Sequence, residues 1–267
     1  MSMPAGKEEY NVSNEKVVAF GVSHTFVEMQ DALQHEIYEK VYDLQEHTEI
    51  VENLGDTGFD KAILMESLFP IVEKKEWEIG EAYAQAYLEA NMYASIPWGI
   101  SRDIKKPGSS LPGADIVGIH HCGNNVCFLF GEIKTSSQNE YPPSVMYGDT
   151  GLKKQLEDLC EDKKITDALV CYLAYRLKNT DMWEDYQKAL TRYLDTSGNG
   201  VHIVGVLVRD VKPYGDDLSA RAKKLKEYVL NGRSVELLGI YLPLNSIPKF
   251  SQIVYKEYER RSISDDK

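Results

Sequence analysis

Gly113-Ala114-Asp115-Ile116-Val117-Gly118-Ile119-His120-His121-Cys122-Gly123-Asn124-Asn125-Val126-Cys127-Phe128-Leu129-Phe130-Gly131-Glu132-Ile133-Lys134 is the stretch that decides the fold. Two apolar runs, 116–119 and 126–130, flank a Gly-Asn-Asn turn at 123–125. β-branched and aromatic residues around such a turn predict a β-hairpin. Asp115 opens the first strand, and Glu132 and Lys134 close the second. Their spacing of two puts both side chains on one face of that strand. In an antiparallel hairpin the start of the first strand lies beside the end of the second. Asp115 is therefore expected near Glu132 and Lys134, although sixteen residues lie between Asp115 and Glu132.

Two carboxylates and a lysine gathered in this way form a hard oxygen site with a cation beside it. Mg²⁺ prefers one or two carboxylates, retained waters and substrate phosphate oxygens. At such a site the metal acidifies a bound water and offsets charge on a phosphate. The ammonium of Lys134 would orient that water or stabilise developing negative charge. The plain alternative is a surface Glu/Lys pair at a strand end. Against it, the apolar run Phe128, Leu129 and Phe130 predicts a central strand rather than an edge.

Gly113-Ala114-Asp115 followed by Gly131-Glu132-Ile133-Lys134 resembles the D…E-x-K core of the PD-(D/E)XK nuclease superfamily, over roughly residues 76 to 210. The proline that usually precedes the aspartate is absent, since Gly113 and Ala114 stand there. The resemblance implies an α/β, restriction-endonuclease-like fold, a mixed central sheet flanked by helices. It implies Mg²⁺, or Mn²⁺ in its place, held by Asp115, Glu132 and the backbone carbonyl of Ile133. It also implies that Lys134 positions water and that a helix before the hairpin lends a glutamate. Glu81 is the candidate, although a solvent-facing helix glutamate fits the sequence equally well. On the helix after E-x-K, Gln155 is the residue expected on the substrate side. Three segments together resemble the nuclease subunit of Hachiman-type antiphage systems, which works beside a helicase subunit: Trp77-Glu78-Ile79-Gly80-Glu81, Phe130-Gly131-Glu132-Ile133-Lys134-Thr135-Ser136 and Gly151-Leu152-Lys153-Lys154-Gln155-Leu156. The partners this implies are DNA and a helicase-like protein.

The whole chain sets wider bounds. Its 267 residues suffice for one large domain or a domain with an extension. There is no run of eighteen apolar residues, so no membrane span is expected. Met1 to Glu9 has no apolar core and does not read as a signal peptide. Four cysteines, Cys122, Cys127, Cys160 and Cys171, read as reduced thiols of a cytoplasmic protein. Net charge is −12, and its distribution is uneven. Residues 1–100 hold 6 basic and 19 acidic residues; residues 101–267 hold 24 and 23. The asymmetry suggests two functional parts: an acidic region at 1–70 for partner binding or regulation, and a nuclease-like domain at 71–267. A merely solvated acidic surface is the alternative.

In chain order, residues 1–15 are polar and are expected to be poorly ordered. A strand is predicted at 16–23. A single helix over 25–52 carries the stripe Leu33, Ile37, Val41 and Leu44. Helices follow at 61–68 and 76–92, the latter with Ile79, Tyr83, Ala86 and Ala90 as its apolar face. The loop 93–112 is basic through Arg102, Lys105 and Lys106 and would rest on a phosphate backbone or simply be solvated. Thr135 or Ser136 would bind a phosphate or cap a turn. A helix at 151–162 carries Lys153, Lys154 and Gln155, which with Thr135 make up the expected substrate contacts. Later elements are a buried strand at 168–174, a helix at 181–194, a buried strand at 201–208, a helix at 218–230, a strand at 235–242 and a helix at 249–261.

One competing metal reading involves zinc at His120, His121, Cys122 and Cys127. Adjacent histidines on a strand face opposite ways, and no second Cys/His pair stands at zinc-finger spacing. No Gly-rich phosphate loop is present, so any ATP hydrolysis falls to a partner. The leading expectation is a Mg²⁺-dependent DNA endonuclease. The other is a non-catalytic interaction subunit that keeps a nuclease-like fold to hold a partner or nucleic acid.

Overall fold

The computed structural model describes residues 3–103, 113–123, 125–230 and 232–265. Among these, seven strands form one mixed sheet: β1 (Lys7–Asn11), β2 (Val17–Ser23), β3 (Ala94–Ser95), β4 (Ile116–Cys122), β5 (Asn125–Ser136), β6 (Val201–Arg209) and β7 (Ser234–Tyr241). Their order across the sheet is β1-β2-β7-β6-β5-β4-β3. The middle strands β2, β7, β6 and β5 run parallel. β1 pairs antiparallel at one edge, and β4 and β3 do so at the other. β6 is buried at every position, as an unbroken Val/Ile/Leu strand must be when both faces of a sheet are covered.

The helices are α1 (Phe26–Gln34), α2 (Glu36–Tyr42), α3 (Leu44–Asn53), α4 (Lys61–Leu68), α5 (Glu76–Asn91), α6 (Leu152–Glu161), α7 (Lys163–Leu177), α8 (Trp183–Asp195), α9 (Asp216–Leu225) and α10 (Phe250–Asp265). On one face Leu33, Ile37, Tyr83 and Val254 of α1, α2, α5 and α10 pack in one core with Leu129, Ile133 and Val206. On the other, Leu156, Leu173, Ala189 and Leu218 of α6 to α9 pack with Phe128, Phe130, Ile203 and Leu237. The α/β class with a mixed sheet between helical layers is as the sequence predicts.

Several local expectations are corrected. Residues 7–11 are a strand rather than a loose tail. Tyr10 bonds Tyr241 through their hydroxyls at 2.8 Å, and its ring lies over Gly21, where any Cβ would collide with it. The predicted 25–52 helix is three helices, because the backbone breaks at His35 and at Asp43, whose φ of 50° is left-handed. The stripe survives the breaks, and Leu33, Ile37 and Val41 are all buried. The predicted strand at 168–174 lies inside α7. Its buried residues, Thr166, Leu169, Val170, Leu173 and Leu177, recur at helical spacing, while Tyr175 is exposed. A five-residue apolar run does not by itself separate the two periods. Ala90 is exposed, because α5 leaves the core near its end. The helix expected to stop at 261 continues to Asp265.

The sheet also runs across the expected boundary at residue 70: β2 pairs along its whole length with β7, and α1 and α2 share a core with α5. Among the described helices before residue 70, α3 and α4 stand largely off that core. Val51 is the buried residue of α3, and α4 buries none.

Candidate active site

β4 and β5 pair from Cys122↔Asn125 to Ile116↔Gly131. β5 then continues to Ser136 without β4 beside it. Asp115, the residue just before β4, lies at that opening. Its Oδ2 accepts the backbone N–H of Ile133 at 2.9 Å. Its carboxyl group also hydrogen-bonds that of Glu132. Lys134 Nζ lies 3.4 Å from Glu132 Oε2 and 3.9 Å from Asp115 Oδ2. Across a strand, a residue's N–H and C=O point to the same side. The carbonyl of Ile133 therefore faces the same open edge as its N–H. α5 completes the frame: Gln85, buried, donates from Nε2 to the backbone carbonyl of Asp115 at 3.1 Å.

Close packing holds the frame. α5 crosses β5 at Gly80, where a Cβ would come 2.1 Å from Thr135 Oγ1. Gly131 lies against β6, and a Cβ there would meet the carbonyl of Val204 at 2.1 Å. Glycine at both points lets backbone and strand approach as they do.

The site holds more carboxyl groups than cations, and burial keeps two of them from ionising readily. Glu132 is 1% exposed. Burial, followed by the Asp115 charge and the hydrogen bond to it, pushes its carboxyl up to about 9, while Lys134 opposes the rise. Burial and then Asp115 push Glu81 up to about 8, again opposed by Lys134. Three carboxyl groups thus share one ammonium. A divalent oxygen-seeking cation fits such a donor set, because it supplies the positive charge that the buried pair otherwise draws from a proton. Among the described residues no group of three His, Cys, Asp or Glu has metal-binding geometry. The protein's share of the shell would be Asp115, Glu132 and the Ile133 carbonyl, with water and phosphate completing it, as suits Mg²⁺.

The remaining expected residues are dispersed. Thr135 faces α5 rather than sharing the face of Glu132 and Lys134, and its buried Oγ1 has no hydrogen-bond partner among the described residues. Ser136 Oγ accepts from the N–H of Gln138 at 3.2 Å, the turn-capping role. Gln155 lies beside the buried stripe Leu152, Leu156 and Leu159 of α6, its Oε1 buried and unpartnered among the described residues. Lys153 and Lys154 are exposed, and Lys154 pairs with Asp158 at 2.5 Å. Arg102 is engaged by Asp43 and Glu46 rather than left for a phosphate. Lys105 and Lys106 lie outside the described residues. His120 stacks on His202 with ring centroids 4.1 Å apart, and His121 lies beside Ser95.

Gln85 and Gly80 are the site-building residues that motif reading passes over. The signal for Gln85 is present in the sequence: it stands four residues after Glu81 on the same helix face. No protein-family model and no curated protein matches the chain. Geometry therefore carries the functional reading.

Proposed function

We propose that the chain is a Mg²⁺-dependent phosphodiesterase acting on DNA, of the PD-(D/E)XK type with a restriction-endonuclease-like core. It would serve as the nuclease subunit of a Hachiman-type antiphage complex, beside a helicase-like partner. The observation that carries this reading is the carboxyl of Asp115 held between Glu132 and the N–H of Ile133, with Lys134 alongside. A chain that only held a partner would have no use for two adjoining carboxyl groups, one of them 1% exposed, beside a lysine.

Asp115, Glu132 and the Ile133 carbonyl would hold Mg²⁺. When bound, Mg²⁺ supplies charge neutralisation on the phosphate and acidification of a water. Lys134 donates a hydrogen bond to that water or to a phosphate oxygen as negative charge develops. Glu81, whose raised carboxyl would release its proton as a cation arrives, would add negative charge at that point and so favour a divalent over a monovalent cation. Gln85 fixes the backbone of Asp115, and with it the spacing of the two carboxylates.

Residues 1–100, with 6 basic and 19 acidic side chains, repel a phosphate backbone. The isolated chain should bind DNA weakly, and a partner with a basic surface would cover the acidic α3–α4 region and deliver the substrate. The experiment is supercoiled-plasmid cleavage with Mg²⁺, Mn²⁺, Ca²⁺ or EDTA, with and without a candidate helicase partner. Mg²⁺ or Mn²⁺ should support cleavage and Ca²⁺ should not. Cleavage in EDTA, or cleavage retained by Glu132→Gln/Lys134→Ala, overturns the reading.

A further inference from the structure

A second cleft lies near the other end of β5, on the sheet face opposite Glu132. It encloses about 550 Å³ and is lined in part by Phe20, Asn91, Met92, Tyr93, His120 and Glu236. Among the described residues no lysine or arginine lines it. Glu236 of β7 lies largely buried, its Oε2 3.3 Å from His202 Nε2. His202 Nδ1 in turn meets Ser234 Oγ at 2.7 Å. His120 stacks on His202 and donates to the carbonyl of Met92. Burial, reinforced by the neighbouring His202 and His121, holds His120 down at about 4, so its ring is neutral near pH 7.

A carboxylate and a helix end line this cleft. Beyond Glu236, α5 ends here, with Asn91 its last residue and Met92 its cap, and a helix C-terminus carries partial negative charge. Asn91 donates from Nδ2 to the carbonyl of Tyr87 at 3.3 Å, and its Oδ1 accepts no hydrogen bond from the described residues. Aromatic surface frames these acceptors. Tyr93 is 75% exposed at the rim, held there by a left-handed φ of 53° that residues other than glycine seldom adopt. Phe20 forms part of the wall.

We propose that this cleft binds a nitrogen cation, a guanidinium or primary ammonium, carried on a short apolar stem. A phosphate or carboxylate would face Glu236 and the end of α5 with only histidines beside it and no lysine or arginine among the described lining residues. A purely apolar ligand would desolvate Glu236 and the Asn91 oxygen without replacing their hydrogen bonds. A cation meets both and gains further from the face of Tyr93. The same contacts serve a free amine or an arginine or lysine of another protein. The inference does not rest on the nuclease reading, because Asp115, Glu132 and Lys134 take no part in it.

The test is calorimetric titration of the full-length chain with n-butylguanidine, its neutral isostere n-butylurea, and a capped Gly-Arg-Gly tripeptide. n-Butylguanidine should bind at least about tenfold more tightly than n-butylurea, the scale of a charge-assisted hydrogen bond. Glu236→Gln should lower its affinity by a similar factor, and Tyr93→Ala by about threefold. Neither variant should alter plasmid cleavage. Tighter binding of the tripeptide points to a protein side chain as the occupant, and tighter binding of n-butylguanidine points to a small molecule. Equal binding of guanidine and urea by the wild-type chain overturns the proposal, and so does a Glu236→Gln chain that binds guanidine undiminished. If Glu236→Gln fails to fold, the wild-type comparison and Tyr93→Ala decide the matter.

Discussion

Asp115 lies outside β4, yet its Oδ2 bonds the N–H of Ile133 in β5 at 2.9 Å. The carboxylate takes the place of the strand partner that β5 loses after Gly131. One side chain thereby closes the frayed end of the hairpin and stands beside Glu132. The catalytic prediction follows from that dual position. Glu132→Gln keeps the volume and replaces a buried carboxyl, held mostly protonated, with a neutral amide that holds Mg²⁺ poorly, so it should abolish Mg²⁺-dependent cleavage while leaving Tm within a few degrees. Lys134→Ala should abolish cleavage with Tm within a few degrees. Plasmid cleavage and thermal denaturation of each variant check both; unfolding would mark the pair as structural.

Gln85→Leu removes the donor to the Asp115 carbonyl. An unsatisfied buried carbonyl costs about 1–3 kcal/mol. The larger effect should fall on turnover, because the carboxylate spacing is no longer held. Single-turnover cleavage should slow by more than the stability loss alone explains, and Gln85→Asn, too short to reach, should behave like Gln85→Leu.

Gly80→Ala places a methyl group where Thr135 Oγ1 now lies. Forced overpacking should cost about 1–3 kcal/mol. Adding Thr135→Ala removes the atom in the way and should recover most of the loss. Urea unfolding of the two single variants and the double variant gives the coupling directly, and additive losses would show that α5 and β5 do not meet there.

Arg209 and Asp217 form an ion pair whose two side chains are both 0% exposed, with Nη1 2.7 Å from Oδ1. Arg209 also donates to the carbonyls of Gln138 and Glu140, tying down the loop that follows β5. Arg209→Met strands the Asp217 carboxylate and should cost about 3–5 kcal/mol. Arg209→Met/Asp217→Leu should be more stable than Arg209→Met alone, as denaturant midpoints will show.

His24 is 4% exposed, and its Nδ1 lies 2.6 Å from the Tyr83 hydroxyl. Burial lowers it from an ordinary 6.5 to about 4. The folded chain thus binds fewer protons than the unfolded chain between those values, and stability rises with pH across that window. The contribution is complete above pH 6.5 and is lost as pH falls toward 4, a change of about 3 kcal/mol. His24→Gln should flatten the dependence of unfolding free energy on pH between 6.5 and 4. His120, lowered in the same direction, will leave a residual slope.

The hairpin and its chemistry are legible from sequence because both are short-range. A Gly/Asn turn sets the register, and strand alternation places Glu132 beside Lys134 whatever the rest of the chain does. The helix at α5 is equally local, written in its alanines and glutamates. The strand misread at 168–174 marks the limit of such signals, since Leu169 to Leu173 suits either period until its layer is known. The acidic N-terminal stretch reads as a separate region because charge is visible in sequence and pairing is not. β2 finds β7 more than two hundred residues away, and Tyr10 finds Tyr241.

The sequence by itself determined which carboxylates and which lysine stand together, since turn geometry and a period of two suffice for that. Only the tertiary structure decided that Glu132 is buried, that Gln85 holds Asp115, that Thr135 faces α5, and that His120, His202 and Glu236 line up across three strands. Those outcomes depend on which strand ends first and which helix covers which face. They are set by the free energy of packing the whole core, which no local window of the chain contains.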